Sequence, residues 1–127
     1  MSILDFIFKR RISFRKTVLS SQAREIAKTK WQEIEELIKL GKPSNFKNAV
    51  ISADKLLYFV LNEFSFSGTL GEKLIAAKDR FSDYSGIWQA HKLRNRIVHE
   101  IEHEMFHFEA TSAVAQFKKA LKDLSAL

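Results

Sequence analysis

Apolar residues recur at intervals of three and four along most of this chain, the spacing that lines one face of an α-helix. From 19 to 40 the repeating positions are Ala23, Ile26, Ala27, Trp31, Ile34, Leu37 and Ile38, and Gly41 followed by Pro43 is a stop signal. Ser44 is a candidate N-cap for a second helix over about 45–64, where Phe46, Ala49, Val50, Ala53, Leu57, Val60, Leu61 and Phe64 keep the period. Ser65 to Gly68 reads as a loop. Thr69 and Glu72 have the spacing of a capping box, in which each side chain satisfies a free backbone N–H, so a short third helix is expected over about 70–80. Ser82 or Asp83 can cap a fourth, running from about 84 past 103, with Ile87, Ala90, Ile97, Ile101 and Phe108 on its stripe. A fifth is expected over about 107–125, with Ala110, Ala113, Val114, Phe117, Leu121 and Leu124 inward. Neither glycine nor proline marks the break between these last two. No segment alternates long enough for a half-buried strand, and there is no internal repeat. The pattern predicts an all-α bundle of four or five helices.

Composition narrows this further. A chain of 127 residues suits one domain, and 46% hydrophobic with 28% charged residues is a globular balance. One proline and four glycines argue against a turn-rich β-fold. The absence of cysteine excludes disulfide scaffolds, thiol nucleophiles and thiolate metal sites, and fits a cytoplasmic location.

The formal charge of +6 is unevenly spread. Residues 1–16 carry Lys9, Arg10, Arg11, Arg15 and Lys16 against Asp5 alone, while the other 111 residues hold 16 basic and 14 acidic side chains. The basic character therefore belongs to an N-terminal arm, residues 1–18, ahead of one helical domain, residues 19–127. High pI by itself is thus a weak argument for nucleic-acid binding. In the arm, Ile3, Leu4, Phe6, Ile7 and Phe8 precede the basic cluster, the reverse of a secretory signal, and fall far short of a bilayer span. Such an arm packs its phenylalanines on the domain or on a partner chain, or anchors peripherally at a membrane surface with its cations over anionic head groups.

Two polar residues fall on core-facing stripes. Arg94 interrupts the fourth helix between Ala90 and Ile97, and Asp54 interrupts the second between Val50 and Leu57. A charge in a core must be paired, because leaving it alone costs several kcal/mol. One of each sign on two helices expected to be neighbours suggests that they pair. The other side of the fourth helix carries Lys92, Asn95, Arg96, His99 and His103. Asn95 and His99 are four apart and stack along the axis. Arg94 and His99 are separated by about 140° but can flank a common groove. A cation, an amide and an imidazole around one groove are a set able to hold a phosphate and move a proton.

Two motifs overlap here. His99-Glu100-Ile101-Glu102-His103 matches the HExxH zinc-hydrolase pattern, but in a chain with no predicted sheet to hold substrate and with no glycine extension after His103. A solvated charged helix face explains it more simply. The second motif is Arg94-Asn95-Arg96-Ile97-Val98-His99, or R-N-x-x-x-H. It resembles the signature of HEPN domains (higher eukaryote and prokaryote nucleotide-binding). Ala49 to Leu57, the turn from Gly68 to Leu74 and the run from Trp88 to Glu100 are also similar to small bacterial HEPN-like proteins, so that the resemblance covers about residues 44–125.

The resemblance implies a helical bundle that forms a homodimer and either binds RNA or cleaves it as a metal-independent endoribonuclease in a cleft between the two copies. Arg94 would contact the scissile phosphate, His99 would transfer a proton, and Asn95 would orient the site. Asp54 would position Arg94, and Lys92 and Arg96 are candidate phosphate contacts. Neither a metal nor a cofactor is implied. The alternative is a non-catalytic helical interaction domain that uses residues 1–16 for a membrane surface or a partner.

Overall fold

The structure, a computed structural model, describes residues 18–100, 102 and 104–127. The arm over residues 1–16, and the expectations placed on it, lie outside the described residues, as do Ile101 and His103. Among the described residues five α-helices appear, in the order α1 (Ser21–Leu40), α2 (Pro43–Glu63), α3 (Leu70–Ala76), α4 (Tyr84–His99) and α5 (His107–Asp123), with one 3₁₀ turn, Lys78–Arg80, between α3 and α4. No strand is present among the described residues.

Each helix starts where local chemistry can satisfy its free N–H groups. Ser20 Oγ accepts from the Ala23 N–H at 3.1 Å at the head of α1. Gly41 ends that helix at φ 76°, a left-handed conformation in which a side chain would be strained. The second helix begins two residues earlier than the periodicity suggested, with Lys42 as N-cap and Pro43 in the first turn. Proline has no N–H to satisfy and its φ is already helical, so no side-chain cap from Ser44 is needed. Asp83, rather than Ser82, caps α4 by accepting from the Gly86 N–H at 2.9 Å. Ser82 instead donates from its N–H and its hydroxyl to Asp123 at 2.8 Å each, tying the start of α4 to the end of α5.

The third helix is as capped as the sequence suggested. The Glu72 N–H donates to Thr69 Oγ1, and the Thr69 N–H donates to Glu72 Oε1, both at 3.2 Å. These bonds from Thr69, first from its backbone and then from its side chain, hold the Glu72 carboxyl below its ordinary value of 4.5. A carboxyl that is more acidic in the folded chain contributes stability above pH 4.5 that is lost as pH falls through its lowered pKa. Glu72→Gln is therefore expected to flatten the decline of melting temperature below about pH 4.5. An unchanged acid-side slope in thermal melts of the variant would contradict this.

The long second helix lies at the centre, packed on each of α1, α3, α4 and α5. That position explains its wide apolar arc: Ala49, Val50, Ala53, Leu57, Val60 and Leu61 have no exposed surface. Trp31 and Ile34 cover it from α1, Ile87 and Ile97 from α4, and Phe117 and Leu121 from α5. Apolar burial of this kind is the main favourable term in folding, at about 25 cal/mol per Å². Among the described residues no helix is long and apolar enough to cross a membrane.

One boundary departs from expectation in a way that matters for the site. The fourth helix does not run past 103 but ends at His99, and Glu100 turns extended at φ −94°, ψ 123°. Met105 is buried, drawing the chain back to the core before α5 starts. Glu100, Glu102 and Glu104 would also sit badly against the negative end of a continued helix, whereas Glu109 in the first turn of α5 meets the positive end of that helix. Phe108, assigned to the apolar stripe from its spacing, belongs to α5 and is 70% exposed.

Candidate functional site

Where α2 crosses α4, the structure gathers polar groups around Asp54, which is only 5% exposed. Its Oδ2 lies 2.8 Å from Nδ1 of His91, itself 8% exposed. Its Oδ1 lies 3.5 Å from Arg94 Nε, an ion-pair distance without a well-formed hydrogen bond. Arg94 donates from a terminal nitrogen to Asn95 Oδ1 at 3.0 Å, and Asn95 Nδ2 stands 3.5 Å from His91 Nε2. The four side chains close a ring: Asp54, His91, Asn95, Arg94.

Helix geometry explains why α4 supplies three of them. Residues 91, 94 and 95 are three and four apart and share one face. Asp54 projects from α2 one helical turn before Tyr58, which together with Lys55 forms the pocket wall on that side. Thr69, Leu70 and Gly71 at the start of α3 supply the third wall. The result is an open pocket of about 510 Å³ lined by an acid, two cations, an imidazole, an amide and a phenol.

The hydrogen-bond pattern assigns His91 one tautomer. Arginine can only donate, so Asn95 must turn its carbonyl oxygen to Arg94 and its NH₂ to His91. Nε2 of His91 then has to accept, and Nδ1 carries the proton that goes to Asp54. The three links agree only in this arrangement. Trp88 packs its indole edge-on to the His91 ring at 5.8 Å between centroids and holds it from the side.

The candidates read from the sequence fall into two groups. Asp54, Arg94 and Asn95 come together at the pocket. The Asp54–Arg94 pairing inferred from the two stripes is present as the 3.5 Å contact, although His91 is the nearer partner. His99 is exposed at the end of α4, one turn beyond Asn95, and is not among the pocket walls. Lys92 is exposed and also lies outside the pocket. Arg96 lines a separate groove between α4 and α5, beside Phe108 and Gln116.

Three pocket residues were not singled out from the sequence: His91, Lys55 and Tyr58. A signal for His91 existed. It stands one turn before both Arg94 and Asn95, on the face that carries them.

The zinc pattern loses its geometric basis. Two histidines at i and i+4 ligate one metal only on a continuous helix, and α4 ends at the first of them. His103 lies outside the described residues. Among the described residues no three His, Asp or Glu side chains group as a metal site would require.

These features define the class of molecule: a helical bundle with a buried carboxylate that organises an imidazole and a guanidinium at an open pocket. Comparison with protein-family models, curated proteins and solved structures gives no match.

Proposed function

We propose that the chain is a HEPN-like helical protein that pairs with a second copy and cleaves RNA without a metal. The observation that carries the reading is the held guanidinium: Arg94, its side chain 28% exposed, is fixed by Asp54 from below and Asn95 from the side, at the wall of an open pocket. A guanidinium fixed in this way matches a phosphodiester, whose oxygens accept its parallel N–H groups. The all-helical bundle and the R-N-x-x-x-H run from Arg94 to His99 agree with it.

In this reading Arg94 neutralises the scissile phosphate and Asn95 keeps the guanidinium in plane. The ribose 2′-hydroxyl attacks the adjacent phosphorus, the bond to the 5′-oxygen breaks, and the products are a 2′,3′-cyclic phosphate and a 5′-hydroxyl end. His99 takes part in the proton transfers that this step needs. Wild type is expected to cut single-stranded RNA in the presence of a chelator, with at least a hundredfold loss in Arg94→Ala and in His99→Ala. Gel analysis of labelled RNAs of varied sequence reads the outcome. An inert wild type, or cleavage unchanged in both variants, removes the nuclease and leaves a non-catalytic interaction domain.

The pairing has a candidate surface. Val98 in the last turn of α4 is exposed, as are Phe106 and Phe108, whose rings stack 6.2 Å apart at 15°. Such apolar surface at the end of the helix that carries His99 suits a second copy of the same chain. The double substitution Phe106→Ser and Phe108→Ser is expected to shift the mass measured by light scattering from dimer to monomer. A variant that stays dimeric would place the contact elsewhere.

A further inference from the structure

We infer that His91, oriented by Asp54, is the group that takes the proton from the attacking hydroxyl, a role that neither the sequence motif nor the site as first read gives it. The inference rests on the ribonuclease reading above and assigns the base within it.

Four observations converge on this imidazole. Its Nδ1–H is committed to a buried carboxylate at 2.8 Å, which fixes the ring and stabilises the imidazolium that forms when the other nitrogen takes a proton. Its Nε2 holds the lone pair, because Arg94 dictates the direction of the Asn95 amide. The sole contact of that nitrogen in the cluster is Asn95 Nδ2 at 3.5 Å, the outer limit of a hydrogen bond, so a substrate hydroxyl can displace it at little cost. The ring also lines the pocket beside Arg94. A phosphate on the guanidinium therefore brings the neighbouring ribose close to a nitrogen able to accept.

His99 is less suited to that half of the reaction. It is exposed, no carboxylate is paired with it within 4 Å among the described residues, and it sits eight residues further on, about 12 Å along the helix axis. That separation is too long for the two rings of one chain to serve opposite sides of one phosphorus. The 2′-hydroxyl gives its proton to His91 Nε2 as its oxygen bonds to phosphorus. The 5′-oxygen leaves and takes a proton from His99, which on the proposed pairing would come from the second copy of the chain. Proton exchange with water resets both rings. The charged and titratable groups that line the pocket together with His91 are Asp54, Lys55 and Tyr58 from α2 and Arg94 from its own helix.

The discriminating variant is His91→Asn, whose amide NH₂ can replace Nδ1–H as the donor to Asp54 while removing Nε2. The expected result is a folded protein that binds a 2′-deoxy-substituted oligonucleotide within threefold of wild type but cleaves RNA at least a hundredfold more slowly. Cleavage within threefold of wild type, with Arg94→Ala inactive, overturns the assignment and leaves the ribonuclease reading intact. Equal loss of binding and cleavage also overturns it, because that marks a structural role. A wild type that cuts no RNA ends both. A second measurement needs no folded variant: ¹⁵N NMR of wild type labelled at histidine should show His91 protonated at Nδ1 and bare at Nε2, with the Nε2 signal moving when the 2′-deoxy oligonucleotide is added. The opposite tautomer, or an Nε2 signal indifferent to the oligonucleotide, overturns the assignment.

Discussion

Asp54→Ala is expected to lower the unfolding free energy by about 3 kcal/mol and to remove RNA cleavage altogether. The figure is set by what the carboxylate leaves behind. Removing one member of a buried ion pair typically costs about 3–5 kcal/mol, because the partner's charge stays in a poor solvent for it. Arg94 retains 28% of its side-chain exposure and recovers part of that loss from water, which places this case at the low end. His91 adds an unpaired Nδ1–H in a ring that is 8% exposed. Asp54→Asn keeps an oxygen for that N–H but discards the charge that aligns Arg94, so a cost of about 1 kcal/mol is expected with cleavage still lost. Urea unfolding measures the first quantity. Coincident midpoints for wild type and Asp54→Ala would mean that the cluster is not held through its carboxylate.

The second large effect is expected at Lys73, which the sequence gives no reason to notice. Its side chain is 1% exposed, extreme burial for a lysine. The ammonium donates to the backbone carbonyl of Phe66 and to Asn62 Oδ1, and it lies 4.7 Å from the centre of the Tyr58 ring. It thereby pins the loop between α2 and α3 and fixes the wall formed by Thr69, Leu70 and Gly71.

Lys73→Ala removes the buried donor to Asn62 Oδ1 and the Phe66 carbonyl and leaves a void where the four-carbon stem packed, for an expected loss of about 2–4 kcal/mol. Lys73→Met keeps the volume and removes only the donor, so about half that loss is expected. Equal unfolding midpoints for the two variants would assign the whole effect to the ammonium. Burial also pushes the Lys73 amine below its ordinary value of 10.5. A base whose folded pKa is depressed penalises the folded state while it is charged, and that penalty is relieved as pH rises through the lowered pKa toward 10.5. Its contribution to stability therefore increases on the alkaline side, opposite in sign to a lysine that gains an acidic partner.

Helix formation was legible because it is a local property. Leu57, Val60 and Leu61, or Phe117 and Leu121, reveal their burial through spacing alone. The capping box at Thr69 was legible for the same reason, since its partners are three residues apart. Asp54 and Arg94 were found as violations of the apolar stripes, which needs no knowledge of the packing. The end of α4 was not legible. No glycine or proline marks it, and the burial of Met105, which draws the chain back to the core, depends on a surface built by other helices.

The sequence on its own determined that the described part of this chain is helical, which faces of those helices are apolar, and that one acid and one guanidinium would lie at the packed side. Tertiary structure decided the acid's closest partner. His91 and Asp54 are 37 residues apart and meet only because α2 crosses α4 at that point. It also decided that Arg94 lines a pocket while His99 stands outside it and Arg96 faces another groove. The division follows from range. Side-chain spacing along a helix is fixed by 3.6 residues per turn, but the polar groups that share a buried site are chosen by how two helices pack, and that depends on every apolar residue between them.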